Sequence, residues 1–285
     1  MSCAKAYGKV NLFFQVGPLK EDGYHDVVSL YQAIDLHEKV CVEPAPMWQV
    51  EVWSDLFDVG SVPVDETNIV VKAAKLLAAE VGIDNPQPMK FQIEKQIPVA
   101  GGMAGGSADA AAALVALNDA WCLGLGSAEL MTVGAKVGAD VPFAILGGTA
   151  IGIGTGTELT KVPTDFDKHI VLLFPGLELP TKKVFEAFDQ LELGEVLDKA
   201  PSPEDLIDRL GYNSLKTAAL SLLPELKAIS ERDFGLGKAF LSGSGPTLWY
   251  LANSAIQAHE AVARMKAAGF KALVTKATSA GCELY

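Results

Sequence analysis

The chain has 285 residues, 49% of them hydrophobic and 20% charged, enough for one large core or two modest ones without staples. Its 23 Lys and Arg stand against 35 Asp and Glu, a formal net charge of -12, so no broad basic surface is available to a nucleic-acid backbone and no nucleic-acid partner is expected. Four cysteines (Cys3, Cys41, Cys122, Cys282) and four histidines (His25, His37, His169, His259) are scattered. They offer no metal-ligand spacing and no support for a disulfide, and a reducing, cytoplasmic setting is the simplest expectation. No apolar run approaches the length of a membrane span, and the N-terminus lacks the pattern of an export signal.

Residues 9–16 alternate as a strand, with Val10, Leu12, Phe14 and Val16 on one face and Lys9, Asn11, Phe13 and Gln15 on the other. Glu21-Asp22-Gly23 signals a turn, and two or three short β segments follow through about Val52. After a breaker-rich stretch from Asp55 to Glu66, Thr67 is expected to cap a helix ending near Gly82. Met89 to Glu94 reads as a strand leading into a glycine loop, then an Ala-rich helix over 108–123 and a second helix from Ser127 to about Gly138. A β segment is expected over 147–156.

Composition shifts around 160–168, and the expected domains are 1–160 and 161–285. The second half suggests a strand at 170–174, helices near 181–190, 203–210, 214–223 and 225–232, and a strand at 237–241. The loop Ser242-Gly-Ser-Gly-Pro246 follows, then a strand at 247–251, a helix at 254–268 and a strand at 271–275. The order suggests an α+β fold with helices on one face of a sheet.

The strongest chemical signal is Pro98-Val99-Ala100-Gly101-Gly102-Met103-Ala104-Gly105-Gly106-Ser107, placed between a strand and a helix. Its glycines permit tight bends, and the following helix offers open N–H groups, a hydroxyl and a positive dipole end, which together make a phosphate cradle. It has neither the Gly-Lys-Ser/Thr ending of a Walker A loop nor the spacing of a dinucleotide fingerprint.

Three ordered segments resemble the GHMP kinases, small-molecule kinases named for galactokinase, homoserine kinase, mevalonate kinase and phosphomevalonate kinase. They are Lys9-Val-Asn11-Leu with Asp22-Gly-Tyr24-His25, the loop at 98–110, and Leu241-Ser-Gly-Ser-Gly-Pro246-Thr. Glu66-Thr-Asn68 and Gly138-Ala-Asp140-Val-Pro-Phe draw the resemblance toward the branch that phosphorylates a cytidine-diphosphate-linked methylerythritol in the non-mevalonate isoprenoid pathway.

The resemblance implies a two-domain α+β fold with the active site between the domains, ATP and Mg²⁺ as cofactors, a small-molecule partner, and a monomer or weak homodimer. It implies Asp140 as proton acceptor and Lys9 as the catalytic lysine. Asn11, Tyr24, His25, Gly243, Ser244 and Gly245 would face the substrate, with Tyr24 stacking on the base and His25 hydrogen-bonded to it. Asn68 and Lys95 would lie near the adenine, along the loop from Pro98 to Ser107. Ser107 would meet the β-phosphate or the ion, and no residue is named as a direct magnesium ligand.

This chain departs from relatives in having Tyr7 two residues before Lys9 where they carry Pro, Met103-Ala104 where they carry Leu, and Ala108 where a second Ser is common. Two other readings stay open: a homoserine- or mevalonate-type kinase of the same group, and a non-catalytic metabolite sensor on this scaffold.

Overall fold

The computed structural model describes residues 1–163, 166, 168–197 and 201–285, so residues 164, 165 and 167 of the expected boundary segment lie outside the described residues. The first half contains β1 (Ser2–Leu19), β2 (His25–Pro44), β3 (Gln49–Trp53), α1 (Ile69–Glu80), β4 (Met89–Glu94), α2 (Gly105–Ala120), α3 (Ser127–Val137), α4 (Val141–Leu146), β5 (Thr149–Ile153) and β6 (Glu158–Lys161). The second contains β7 (His169–Phe174), α5 (Thr181–Gln190), α6 (Pro203–Asp208), α7 (Lys216–Leu222), α8 (Pro224–Ser230), β8 (Phe240–Leu241), β9 (Leu248–Ala252), α9 (Ala255–Ala267), β10 (Lys271–Lys276) and β11 (Glu283–Leu284).

The long antiparallel pair β1–β2 forms the spine of a sheet ordered β11-β1-β2-β4-β3, with β5 on β2 and β6 on β5. β2 replaces the several short segments expected from sequence. From Val27 to Ile34 it is buried on both faces and so lacks the alternation by which a half-exposed strand is recognised, whereas from Asp35 to Glu43 buried and more exposed residues alternate.

The expected two-faced pattern of β1 also breaks. Register shifts fall between Tyr7 and Lys9 and between Asn11 and Phe13. Val10, Leu12 and Phe13 then pack in the core of the first sheet, whereas Phe14 and Val16 pack in the core of the second half. A bulge changes which side of the sheet successive residues address, and here it lets one strand serve two cores.

The glycine loop feeds α2, whose small side chains are buried around nearly its whole circumference, between the sheet and α1, α3 and α4. Alanine lets these elements approach closely and carries the best intrinsic helix propensity. Asn68, rather than Thr67, caps α1: its Oδ1 accepts from the Val70 amide at 3.0 Å. The second sheet runs β10-β7-β9-β8, all antiparallel. β11 returns to the first sheet and pairs with β1 through Ala4↔Leu284 and Lys5↔Glu283.

The structure pairs Cys3 with Cys41 as a disulfide between opposed positions of β1 and β2, which their spacing of 38 residues gave no ground to expect. Cys122 and Cys282 are free thiols. Thiol titration of the denatured, unreduced protein should therefore count two thiols, and reduction should raise the count to four; four before reduction would show that the pair is not bridged. Among the described residues no helix is long and apolar enough to cross a membrane.

Candidate active site

A cavity of about 950 Å³ opens where β1, the glycine loop, the loop after β8 and the start of α5 converge. Lys9, Asn11, Tyr24, His25, Asp140, Gly243 and Ser244 line it together with Ala100, Gly101, Gly102, Ala104, Gly105, Gly106 and Ser107. Residues up to 235 positions apart thus share one wall-lined space, which their order along the chain alone did not require. Pro98 and Val99 face a second cavity of about 480 Å³, which shares Ala100 and Gly101 with the first and is also lined by Phe57, Phe174 and Lys271.

Lys9 is fully buried, and Asn11 Oδ1 accepts its ammonium at 2.8 Å. Burial pushes the Lys9 pKa down, while the nearby Asp140 charge pulls it up. The Tyr31 ring lies 5.6 Å from Lys9 Nζ, and its centroid is 4.9 Å from that of Phe143 with the two planes tilted by 32°. Asn11 is a joint rather than a free contact: its Oδ1 also accepts from the Gly243 amide at 2.9 Å, and its Nδ2 donates to Ser29 Oγ at 2.8 Å.

Asp140 is half-buried immediately before α4, a short helix missed from sequence because six residues carry no readable period. Pro142 occupies its first turn, and the Asp140 side chain accepts no capping hydrogen bond. The carboxylate is therefore free to face the cavity.

The glycine loop bends at Ala100, Gly102 and Ala104, with φ of 53°, 73° and 61°, so two of the three left-handed residues are alanines. A left-handed non-glycine residue costs about 1–2 kcal/mol, which places strain at this loop. α2 begins at Gly105 without a side-chain cap, leaving the amides of its first turn open toward the cavity. The loop is tied to the segment after β8 by Ser242 Oγ, which donates to Gly102 O at 2.9 Å. Gly245, from the same segment, lies against Gly102, but it is not among the residues lining the first cavity.

The family model for the GHMP kinases N terminal domain matches residues 68–148, which carry the glycine loop and Asp140. A 4-diphosphocytidyl-2-C-methyl-D-erythritol kinase of Nocardioides sp. is 41% identical over 284 residues, covering 93% of each chain. One from Kineococcus radiotolerans is 42% identical over 266 residues, 88% of this chain and 81% of that protein. The chain belongs to the 4-diphosphocytidyl-2-C-methyl-D-erythritol kinases, within the GHMP kinases. A crystal structure of a 4-(cytidine 5'-diphospho)-2C-methyl-D-erythritol kinase superposes with a TM-score of 0.77 at 30% identity, covering 96% of this chain and 98% of that one. Homoserine kinase from Cytophaga hutchinsonii shares the fold alone, with a TM-score of 0.72 at 19% identity.

Several features of this family member differ from the sequence reading. Lys95 and Asn68 do not line the cavity. Asn68 is buried as the α1 cap, and its Nδ2 donates to Pro63 O at 2.6 Å. Lys95 lies in a buried triad, 2.7 Å from Glu38 Oε1 and 2.6 Å from Asp109 Oδ2, beneath the start of α2. Met103 is wholly buried in the first core and plugs the underside of the loop. Tyr7 turns away from the cavity, its hydroxyl donating to Glu283 Oε1 at 2.9 Å, so it does not crowd Lys9.

Sequence reasoning missed the triad, Tyr31, Phe185 and Asp189. Asp109 did carry a signal, as the one acid in the apolar run from Ala108 to Leu117; Asp189 carried none. Burial of Glu38, with the Asp109 carboxylate nearby, raises its pKa from 4.5 to about 8. The folded chain therefore holds a proton there that the unfolded chain releases near 4.5, so stability is greatest at the acid end of this window and falls as pH rises to about 8. Urea midpoints measured across that range should decline in the native protein and decline less in Glu38→Gln. An identical slope in both would show that the triad carries no extra proton.

Proposed function

We propose that this chain transfers the γ-phosphate of ATP to the 2-hydroxyl of 4-diphosphocytidyl-2-C-methyl-D-erythritol. The observation that carries the reading is the gathering of Lys9, Asp140, the glycine loop and the Tyr24–His25 turn around one cavity, in a chain 41% identical to a kinase of that name over 93% of both.

ATP enters as its magnesium complex, and its phosphates lie along residues 101–107 on the open amides and positive end of α2. The adjoining cavity beside Pro98, Val99 and Phe57 takes the nucleotide base. Ser107 and Asp140, which line the cavity, would offer oxygen atoms to the magnesium ion.

The acceptor hydroxyl is placed between Asp140 and Lys9. Phosphoryl transfer is loose, so the hydroxyl becomes acidic late and Asp140 receives its proton then. The Lys9 ammonium, held by Asn11, offsets charge on the transferred group. Tyr24, exposed at the mouth, and Phe185 on α5 supply flat apolar surfaces for the cytidine end. The two parts of the chain, changing over near residue 160, then close on the substrate from either side.

ADP release should be measured with Mg-ATP and the cytidine-linked substrate, beside mevalonate and homoserine. Turnover restricted to the first is the expected result. Turnover of either of the others instead, or ATP binding without turnover of any, would overturn the reading.

A further inference from the structure

Residues 212–214 come from the second half of the chain and run parallel to β1 at Phe14. The Phe14 amide donates to Tyr212 O and the Ser214 amide donates to Phe14 O, each at 2.9 Å. Ser214 Oγ accepts from the Val16 amide at 3.1 Å. Asn213, at the middle of this short pairing, is buried and lies outside the residues that line the cavity.

The Asn213 side chain is fully paired. Its Oδ1 accepts from the Leu215 amide at 2.9 Å, and its Nδ2 donates to Leu241 O at 3.0 Å and to Gly243 O at 2.8 Å. Backbone amides only donate and carbonyls only accept, so these three partners fix which way the carboxamide faces. The two carbonyls it holds flank the one peptide unit whose N–H, that of Gly243, donates to Asn11 Oδ1 at 2.9 Å. The same Asn11 oxygen accepts the Lys9 ammonium at 2.8 Å. Gly243 is left-handed, with φ of 53°, and a Cβ there would stand 3.3 Å from Lys9 Nζ. A run of hydrogen bonds therefore leads from Asn213 through Gly243 and Asn11 to the cation.

We infer that Asn213 is a positioning residue for phosphoryl transfer, which sets the Gly243 peptide unit and through it the Asn11 carboxamide that aims Lys9. The inference rests on the function proposed above and adds to it a residue that touches neither substrate. Lysine carries its charge at the end of a flexible stem, so its aim depends on the group that accepts from it. Without Asn213, the carbonyls of Leu241 and Gly243 lose their side-chain donor and the turn between them is free to shift. Asn11 then keeps Ser29 but loses the fixed amide on its other side.

The test is a double-mutant cycle on the full chain, with Asn213→Ala, Asn11→Ala and the pair, joined to hydrogen exchange at the Gly243 amide. Rates are single-turnover rates with Mg-ATP and the cytidine-linked substrate saturating, read well below each thermal midpoint. Asn213→Ala should slow transfer by about tenfold or more, since a displacement of about 1 Å near the reacting atoms is enough for such a loss. In the Asn11→Ala background, where the joint is already broken, the same change should cost less than about twofold. The Gly243 amide should exchange about tenfold faster or more in Asn213→Ala than in the native protein. If the alanine variant does not fold, Asn213→Asp keeps the shape, sets an oxygen against the two carbonyls, and carries the same expectations.

A residue that only stabilises the fold would cost the same factor in both backgrounds and leave Gly243 protected at that temperature. Either result overturns the inference and leaves the proposed function standing. Native protein that does not turn over the cytidine-linked substrate overturns that function instead, and exchange at Gly243 then decides by itself whether Asn213 holds the joint.

Discussion

Replacing Asp140 by Asn should lower kcat by about 10²-fold or more while leaving the dissociation constant for Mg-ATP within about twofold. The two side chains have nearly the same shape, and the Asp140 carboxylate caps nothing, so α4 and the backbone before it keep their conformation. What is lost is the proton acceptor.

A second effect accompanies it. Asp140 is the charge that raises the Lys9 pKa against burial, so its removal lets burial lower that pKa further. The lysine then loses its proton at lower pH, and the alkaline limb of the residual activity profile should move to lower pH than in the native enzyme. Steady-state kinetics across pH with calorimetric ATP binding checks both. A matching loss of ATP affinity would assign Asp140 a structural role, and an unmoved alkaline limb would show that Lys9 and Asp140 do not interact in the working site.

The parts of this site that could be read from sequence were those whose chemistry depends on local order. The glycine loop sits directly between a strand and a helix, and Asp140 sits directly between a helix end and a proline, so each could be placed before its surroundings were known. Lys9 and Asn11 were correctly put on one side of a strand, but the bulge after Asn11, which turns Phe14 and Val16 toward the second core, left no trace in the hydrophobic pattern.

Lys95 and Asn68 illustrate the opposite limit. The resemblance put both near the adenine, yet Asn68 is taken up locally as the cap of α1, and tertiary packing gives Lys95 buried partners. Lys95 meets carboxylates from β2 and α2, one of them 57 residues upstream, and no local rule connects those three positions. The His25–Asp189 pair, spanning 164 residues, is illegible for the same reason. Long-range polar pairing is decided by how the layers stack, and composition records only that the groups exist.

The glycines of the loop were read as one flexible cradle, but the structure gives them separate tasks, and two alanine substitutions should separate those tasks by their outcomes. Gly102 has φ of +73°, and a Cβ there would stand 2.2 Å from Ser242 O and 2.9 Å from both the amide nitrogen and the carbonyl oxygen of Gly245. These are backbone atoms, so no side-chain rotation relieves the clash. The left-handed conformation alone costs about 1–2 kcal/mol in a non-glycine residue, and to escape the contact the two loops must part. That breaks the bond from Ser242 Oγ to Gly102 O and loosens the Gly243 amide from Asn11, the residue that holds Lys9.

Gly102→Ala should therefore lower the thermal midpoint by several degrees, in line with a loss of about 2–4 kcal/mol, and abolish measurable turnover. Gly106→Ala should behave in the opposite way. A Cβ at Gly106 meets no protein atom within 4 Å, and its φ is not in the left-handed region. Alanine in the first turn of α2 should leave stability unchanged or raise it by up to about 1 kcal/mol, since alanine is the better helix former.

Its methyl group projects instead into the space assigned to the phosphates, so affinity for Mg-ATP should fall by about tenfold or more while the thermal midpoint holds. Melting curves and calorimetric binding on the two variants distinguish these tasks. Equal loss of stability in both would mean that the loop is a structural turn throughout, and undiminished ATP affinity in Gly106→Ala would place the phosphates elsewhere than on the start of α2.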